Sequence, residues 1–267
     1  MQDAEKRAAG VLLGLAAGDR NGGPARMAFR VAESLRDRGG FDVSDIGLRY
    51  LDWWRDGGFD TGPTAEEVLS LVASGVPFEE ATVRVDEKAG GKTAGCNPAH
   101  RSAPLAMCAS IEDSVLGQAA ATDARLTHRH PLAGDAATAV VCLCRALIRG
   151  ASWMEALGVA AEGRRPEIRR ALEIPPYREL SQNGFAPNAL GAAIHFVDAS
   201  DSFVVALARS IDFAGPADYC PVLVGSIGGA RWGCTRIDES SLHRHGDLAP
   251  RVRTVALALA RGWRVEA

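Results

Sequence analysis

The sequence predicts an all-α fold, and three observations carry that prediction. Apolar residues recur at three- and four-residue spacing along most of the 267-residue chain, while the strict alternation of a half-buried strand is scarce. Aromatic residues make up only 6% and alanine and glycine are abundant, a composition that lets helices pack closely and that serves a β-sandwich poorly. No internal repeat, low-complexity tract or long linker interrupts the pattern, so a single domain over residues 1–267 is expected.

The elements follow in order. Residues 5–18 form a first helix whose glycines, Gly10, Gly14 and Gly18, are spaced four apart and admit a close neighbour. Pro24 sits where a second helix starts, Met27, Val31 and Leu35 form its apolar stripe, and Gly39 and Gly40 end it. A third helix covers 43–54, with Leu48, Leu51 and Trp54 expected on its buried face. Thr64 and Glu67 have the spacing of a capping box that opens a helix through Leu71. Residues 78–87 form a short helix before a glycine-rich loop at 89–97, and helices over 104–109 and 114–124 come next. The nearly apolar stretch 134–149 is expected at the centre of the molecule, since a helix apolar all round must be buried. Helices over 153–162, 166–172, 186–198 and 202–211 lead to a second glycine-rich apolar helix at 219–232, and 251–262 closes the chain.

Charge and cysteine content exclude several classes. Thirty basic and 33 acidic side chains leave a net charge of −3, so no stable nucleic-acid binding is expected. Six cysteines without a CxxC pair are too dilute for a disulfide scaffold and support neither a zinc site nor an oxidising compartment, and a cytoplasmic protein with reduced thiols is expected. Residues 8–18 follow Lys6 and Arg7 like the apolar core of a signal peptide, but Asp3 and Glu5 spoil the basic lead. No stretch is expected to reach the roughly 18 apolar residues of a membrane span.

Chemistry is sought in the polar and glycine-rich loops between the helices. Residues 18–24 gather Asp19, Arg20 and Asn21 among glycines, which suits either a ligand-binding loop or a plain turn with Asp19 as a cap. Asp60 precedes a helix start and is either that helix's cap or a functional carboxylate. Asn97, His100 and Arg101 follow Gly90, Gly91 and Gly95, and can hold a phosphate or form a solvated loop. His128 and His130 are two apart, closer than a helical metal-ligand pair, so a hydrogen-bonding role fits His128 better. Phe185 beside Gly184 can stack on a base or join the core. Residues 215–219 open the second glycine-rich helix, and His243 and His245 are assigned no chemistry.

Taken in register, these loops resemble the ADP-ribosylglycohydrolase family. The matching strings are Gly14 to Asp19, Phe59 to Gly62, Asn97 with Arg101 to Pro104, Leu126 to His128, Gly184 with Phe185, and Asp218 with Gly225, Gly229 and Ala230. The resemblance implies a single compact orthogonal helical domain and a hydrolase that cleaves ADP-ribosyl conjugates at the distal ribose. It implies Asp60 and Asp19 as catalytic carboxylates. It further implies that Arg20, Asn21, Asn97, His100, Arg101, His128, Phe185 and Tyr219 bind the substrate, with Arg101 and Asn97 on phosphates and ribose and Phe185 on adenine. Members of the family hold two Mg²⁺ or Mn²⁺ ions on an early Thr-Asp-Asp and a late Asp-x-Asp-Thr. Here the early motif falls on Gly22, Gly23 and Pro24, and the late one keeps Asp218 and replaces threonine by Tyr219. A reduced or absent metal site is therefore expected, with at most one weakly held Mg²⁺ or Mn²⁺ on Asp19, Asp60 and Asp218 and with Arg20 partly standing in for a cation. The alternative is a catalytically inactive protein that binds ADP-ribose or a nucleotide. A helical interaction protein, the third reading, requires that no cavity form where the loops meet. The acceptor and the oligomeric state are left open.

Overall fold

A computed structural model describes residues 1–264. Its elements are α1 (Asp3–Gly18), α2 (Gly23–Arg38), α3 (Val43–Arg55), α4 (Pro63–Ala73), α5 (Phe78–Lys88), α6 (Asn97–Arg101) and α7 (Asp113–Ala124). There follow α8 (Pro131–Ile148), α9 (Trp153–Ala161), α10 (Pro166–Leu172), α11 (Ala186–Asp198), α12 (Phe203–Ala214), α13 (Tyr219–Trp232) and α14 (Leu248–Ala260). Among the described residues β-pairing is limited to one isolated bridge, between Gly95 and Phe185.

The centre of the molecule is the seam between α1 and α13. Gly10 faces Gly229, Gly14 faces Gly225 and Gly18 faces Pro221, so the two helices run antiparallel. A Cβ on Gly14 would lie 2.1 Å from the Gly225 carbonyl oxygen, and one on Gly229 would lie 1.9 Å from that of Gly10. No side chain fits between these backbones, which explains the four-residue glycine spacing in both helices. Around the seam α8 is buried on nearly every side. Its Arg145 spends its guanidinium on the carbonyls of Leu105, Ala106, Cys108 and Ile111 and on Asp113, tying the 103–113 segment to the core.

Four sequence expectations need correction. Helix α4 begins at Pro63 behind a glycine cap, Gly62 at φ 75°, so Thr64 lies inside the helix and no capping box forms. In α3 only Leu48 of the three expected positions is exposed: Leu51 is buried and Trp54 half-buried, and Ile46, Tyr50 and Trp53 complete the buried face. The expected helix at 104–109 is a 3₁₀ segment, Ala103–Met107, preceded by the short α6. Lastly, α8 starts at Pro131, capped by the His130 side chain, and is an 18-residue helix of mean hydropathy 1.5. By length and composition it is apolar enough to cross a membrane, and 78% of that stretch is buried inside the protein.

Candidate functional site

The loops singled out in the sequence meet at one cleft of about 700 Å³. Its walls come from the start of α2, the loop before α4, the glycine-rich loop leading into α6, the turn before α8, and the segments before α11 and α13. Two backbone hydrogen bonds fasten the glycine-rich loop to the segment before α11: Cys96 N–H donates to the Gly184 carbonyl and Ala186 N–H to that of Ala94. A cavity of this size lies in the range of small-molecule sites.

Asp60 stands at the edge of this cleft with φ 54°, a left-handed conformation that is uncommon for a residue other than glycine. It does not cap α4. Its carboxylate instead meets the N-terminus of α2, where Gly23 N–H donates to Oδ2 at 3.3 Å. The loop can lie so close only because residue 23 is glycine, since a Cβ there would sit 2.3 Å from the Asp60 carbonyl oxygen. The cleft walls thin the hydration of Asp60 and raise its pKa; the Gly23 N–H opposes that, and the charges of Asp19 and Asp218 add to it.

Asp19 and Asp218 lie close by but are committed to the protein. Asp19 is wholly buried and does not line the cleft. Its Oδ1 accepts from Asn21 N–H and Gly22 N–H, and its Oδ2 from Ala25 N–H at 2.7 Å, so it satisfies the free amides at the start of α2. Burial raises its pKa against those hydrogen bonds. Asp218 lines the cleft, but both its oxygens are taken: Arg20 N–H and Asn21 N–H donate to Oδ2, and the Arg20 guanidinium sits 2.6 Å from Oδ1. Arg20 also donates to the Gly215 and Ala217 carbonyls and does not line the cleft.

This donor set does not fit the two-cation centre that the resemblance implies. The side chains of Gly22, Gly23 and Pro24 offer no oxygen. Asp19 is surrounded by N–H donors, and a guanidinium already occupies the near side of Asp218. Hard divalent ions need several free oxygens, and among the described residues no group of three or more His, Cys, Asp or Glu side chains is placed to supply them.

Arg101, expected on a phosphate, is fully buried and does not reach the cleft. Its Nε donates to Asp123 Oδ2 and its Nη2 to the Asp123 carbonyl, while Nη1 donates to Asn97 Oδ1 and Thr127 Oγ1. Ser102 and Tyr50 hydroxyls complete the shell around Asp123. The network forms the back of the cleft wall. It also meets the imidazole: Thr127 Oγ1 accepts from Arg101 and lies 2.8 Å from His128 Nδ1, a contact that suits a ring protonated on Nε2. That Nε2 stays uncovered because residue 95 is glycine; a Cβ there would lie 3.0 Å from it. Burial and the Arg101 charge push His128 down to about 3, and burial pushes His100 down to about 4, so both rings are neutral at physiological pH.

The remaining expected residues reach the cleft. Asn21, Asn97 and His100 line it, and His100 Nε2 donates to the Tyr219 carbonyl at 2.8 Å. Phe185 and Tyr219 are 40% and 42% exposed, so neither ring is core; the Tyr219 ring lies against Gly184, where a Cβ would be 2.9 Å away. Lys92, which sequence reasoning passed over, also lines the cleft, as do Asn183 and His130, whose loops it weighed without giving these two residues a role. Sequence reasoning gave Thr127, Asp123 and Tyr50 no role, although Thr127 stands beside His128 in a quoted string.

Comparison with known proteins bears on this geometry. A sequence model of the family described as ADP-ribosylglycohydrolase matches residues 24–266. The ADP-ribosyl-dinitrogen reductase glycohydrolase of Rhodospirillum rubrum is 26% identical over 222 residues, covering 82% of this chain and 71% of that protein. A solved structure described as an ADP-ribosylglycohydrolase-related protein complex superimposes with a TM-score of 0.80 at 27% identity, covering 99% of this chain and 100% of that one.

Proposed function

The chain belongs to the ADP-ribosylglycohydrolase family, and from that premise we propose that it hydrolyses an ADP-ribosyl conjugate at the distal ribose, with Asp60 as general base and without the two-cation centre. The observation that carries this reading is the state of Asp60, the cleft carboxylate whose oxygens have a single long backbone hydrogen bond. A carboxylate left this free, with its pKa raised, can accept a proton.

In this reading Asp60 takes a proton from a water as the water oxygen bonds to the anomeric carbon. The bond from that carbon to the acceptor breaks, its electron pair leaves with the acceptor, the acceptor takes up a proton from solvent, and Asp60 releases its own to solvent. Free ADP-ribose and free acceptor result. Positive charge gathers on the sugar as the bond stretches, and the same carboxylate stabilises it. His128 offers a neutral Nε2–H donor to a ribose or phosphate oxygen, and Asn21, Asn97 and His100 supply further polar contacts. Phe185 and Tyr219 present aromatic faces to the base. The Arg20 guanidinium keeps one positive charge beside the paired acids. Six unpaired cysteines support a reducing compartment, the cytoplasm.

Release of ADP-ribose from arginine, serine, nucleobase and small-molecule conjugates, followed by chromatography, tests the proposal. Turnover of at least one conjugate is expected. Tight ADP-ribose binding with no release from any of them would establish the inactive binding protein instead.

A further inference from the structure

A second cleft, of about 720 Å³, lies on the other side of the turn that carries His128 and His130, and both histidines line both cavities. Four arginines line it: Arg125, Arg129, Arg164 and Arg165. Of the three acids that share it, Asp113 is held by Arg145 and Arg149, and Asp135 by the Arg164 side chain and the Arg165 backbone N–H. Glu162 is the acid left without an ion pair among the described residues. The side chains of Arg125, Arg129 and Arg165 make no hydrogen bond or ion pair among the described residues. Three free guanidiniums thus face one free carboxylate, in a chain whose net charge is −3. The cleft is also where the 18-residue α8 begins, at Pro131 and Gly134, which adds the positive end of a helix dipole.

We propose that this second cleft binds a compact polyphosphate, the chemistry shared by pyrophosphate and nucleoside triphosphates. Guanidinium forks match phosphate oxygens in pairs, and several of them around one cavity suit a ligand with more than one phosphate. The cavity has the volume of a small-molecule site. The site lies outside the Asp60 cleft, and the proposal stands whether or not the chain hydrolyses ADP-ribosyl conjugates.

Calorimetry on the full chain at low salt, with pyrophosphate and a nucleoside triphosphate as separate probes, tests it. The double variant Arg125→Ser/Arg165→Ser removes two exposed, unpaired side chains and is expected to keep its melting temperature while affinity falls at least tenfold. Arg169→Ser/Arg178→Ser removes the same charge elsewhere on the surface and is expected to change affinity less than twofold. Equal affinity for the two probes assigns recognition to the phosphates alone, and tighter nucleotide binding assigns it to a nucleotide. No binding by the wild type, binding that survives the first double variant, or an equal loss in the second overturns the proposal.

Discussion

Behind the cleft, Asp123 is wholly buried and accepts from Arg101, Ser102 and Tyr50; at its face, Asp60 is exposed, held at a positive φ, and accepts from one backbone N–H at 3.3 Å. A carboxylate saturated with donors builds structure, because its charge is already balanced. A carboxylate left unsaturated, on a backbone bent to present it, has proton-accepting capacity to spare. Asp19 and Asp218 stand nearer to Asp123 than to Asp60 in this respect, although their charges are felt at Asp60.

Substitutions should separate the two regions. Replacing Asp60 by Asn is expected to cost about 10²- to 10⁴-fold in turnover, the usual scale of general-base catalysis, with thermal stability changed by about 0.5 kcal/mol or less; a variant at wild-type rate would take Asp60 out of the reaction. Asp123→Ala is expected to do the opposite first, lowering stability by about 3–5 kcal/mol in chemical denaturation because Arg101 is left buried without its partner. Thr127→Val removes the link between wall and face. Nitrogen NMR of the imidazole should then show the Nδ1-protonated form appearing at His128, with kcat/KM about tenfold lower, the worth of one hydrogen bond. An unchanged His128 spectrum would mean that Thr127 does not set the tautomer.

The smallest effect is on pH dependence. His100 and His128 have folded pKa values below the ordinary 6.5, at about 4 and about 3. The unfolded chain therefore binds more protons as pH falls below 6.5. Stability from these rings is complete above that pH and is lost on the way down, by on the order of 1 kcal/mol per ring per pH unit. Asp60 moves the other way: its raised pKa should place the acid limb of kcat/KM above the ordinary carboxylate value of 3.8. An imidazole titration seen by NMR between pH 6 and 7 at His128 would contradict the burial argument.

The helices and the glycine seam were legible because both obey spacing rules: an apolar stripe repeats every three or four residues, and a glycine every four leaves a groove. The cleft was legible loop by loop, since Asp60, His128, Phe185 and Tyr219 all arrive there. What the sequence did not disclose is how each polar group is satisfied. Arg101 reads as a phosphate ligand until Asp123, 22 residues away, is seen to hold it. Asp19 reads as catalytic until the three amides around it, two from its own loop and one from the first turn of α2, are counted. Such partners come from tertiary packing, which no local pattern encodes.

The account turns on one carboxylate working without a pair of divalent cations. The most direct measurement is the rate of ADP-ribose release by the wild-type chain in excess EDTA, compared with the rate in Mg²⁺ or Mn²⁺. The account predicts rates within about twofold of each other, because the donors that such ions require are already bound to N–H groups and to Arg20. Activity that collapses in EDTA and returns with either ion would contradict it.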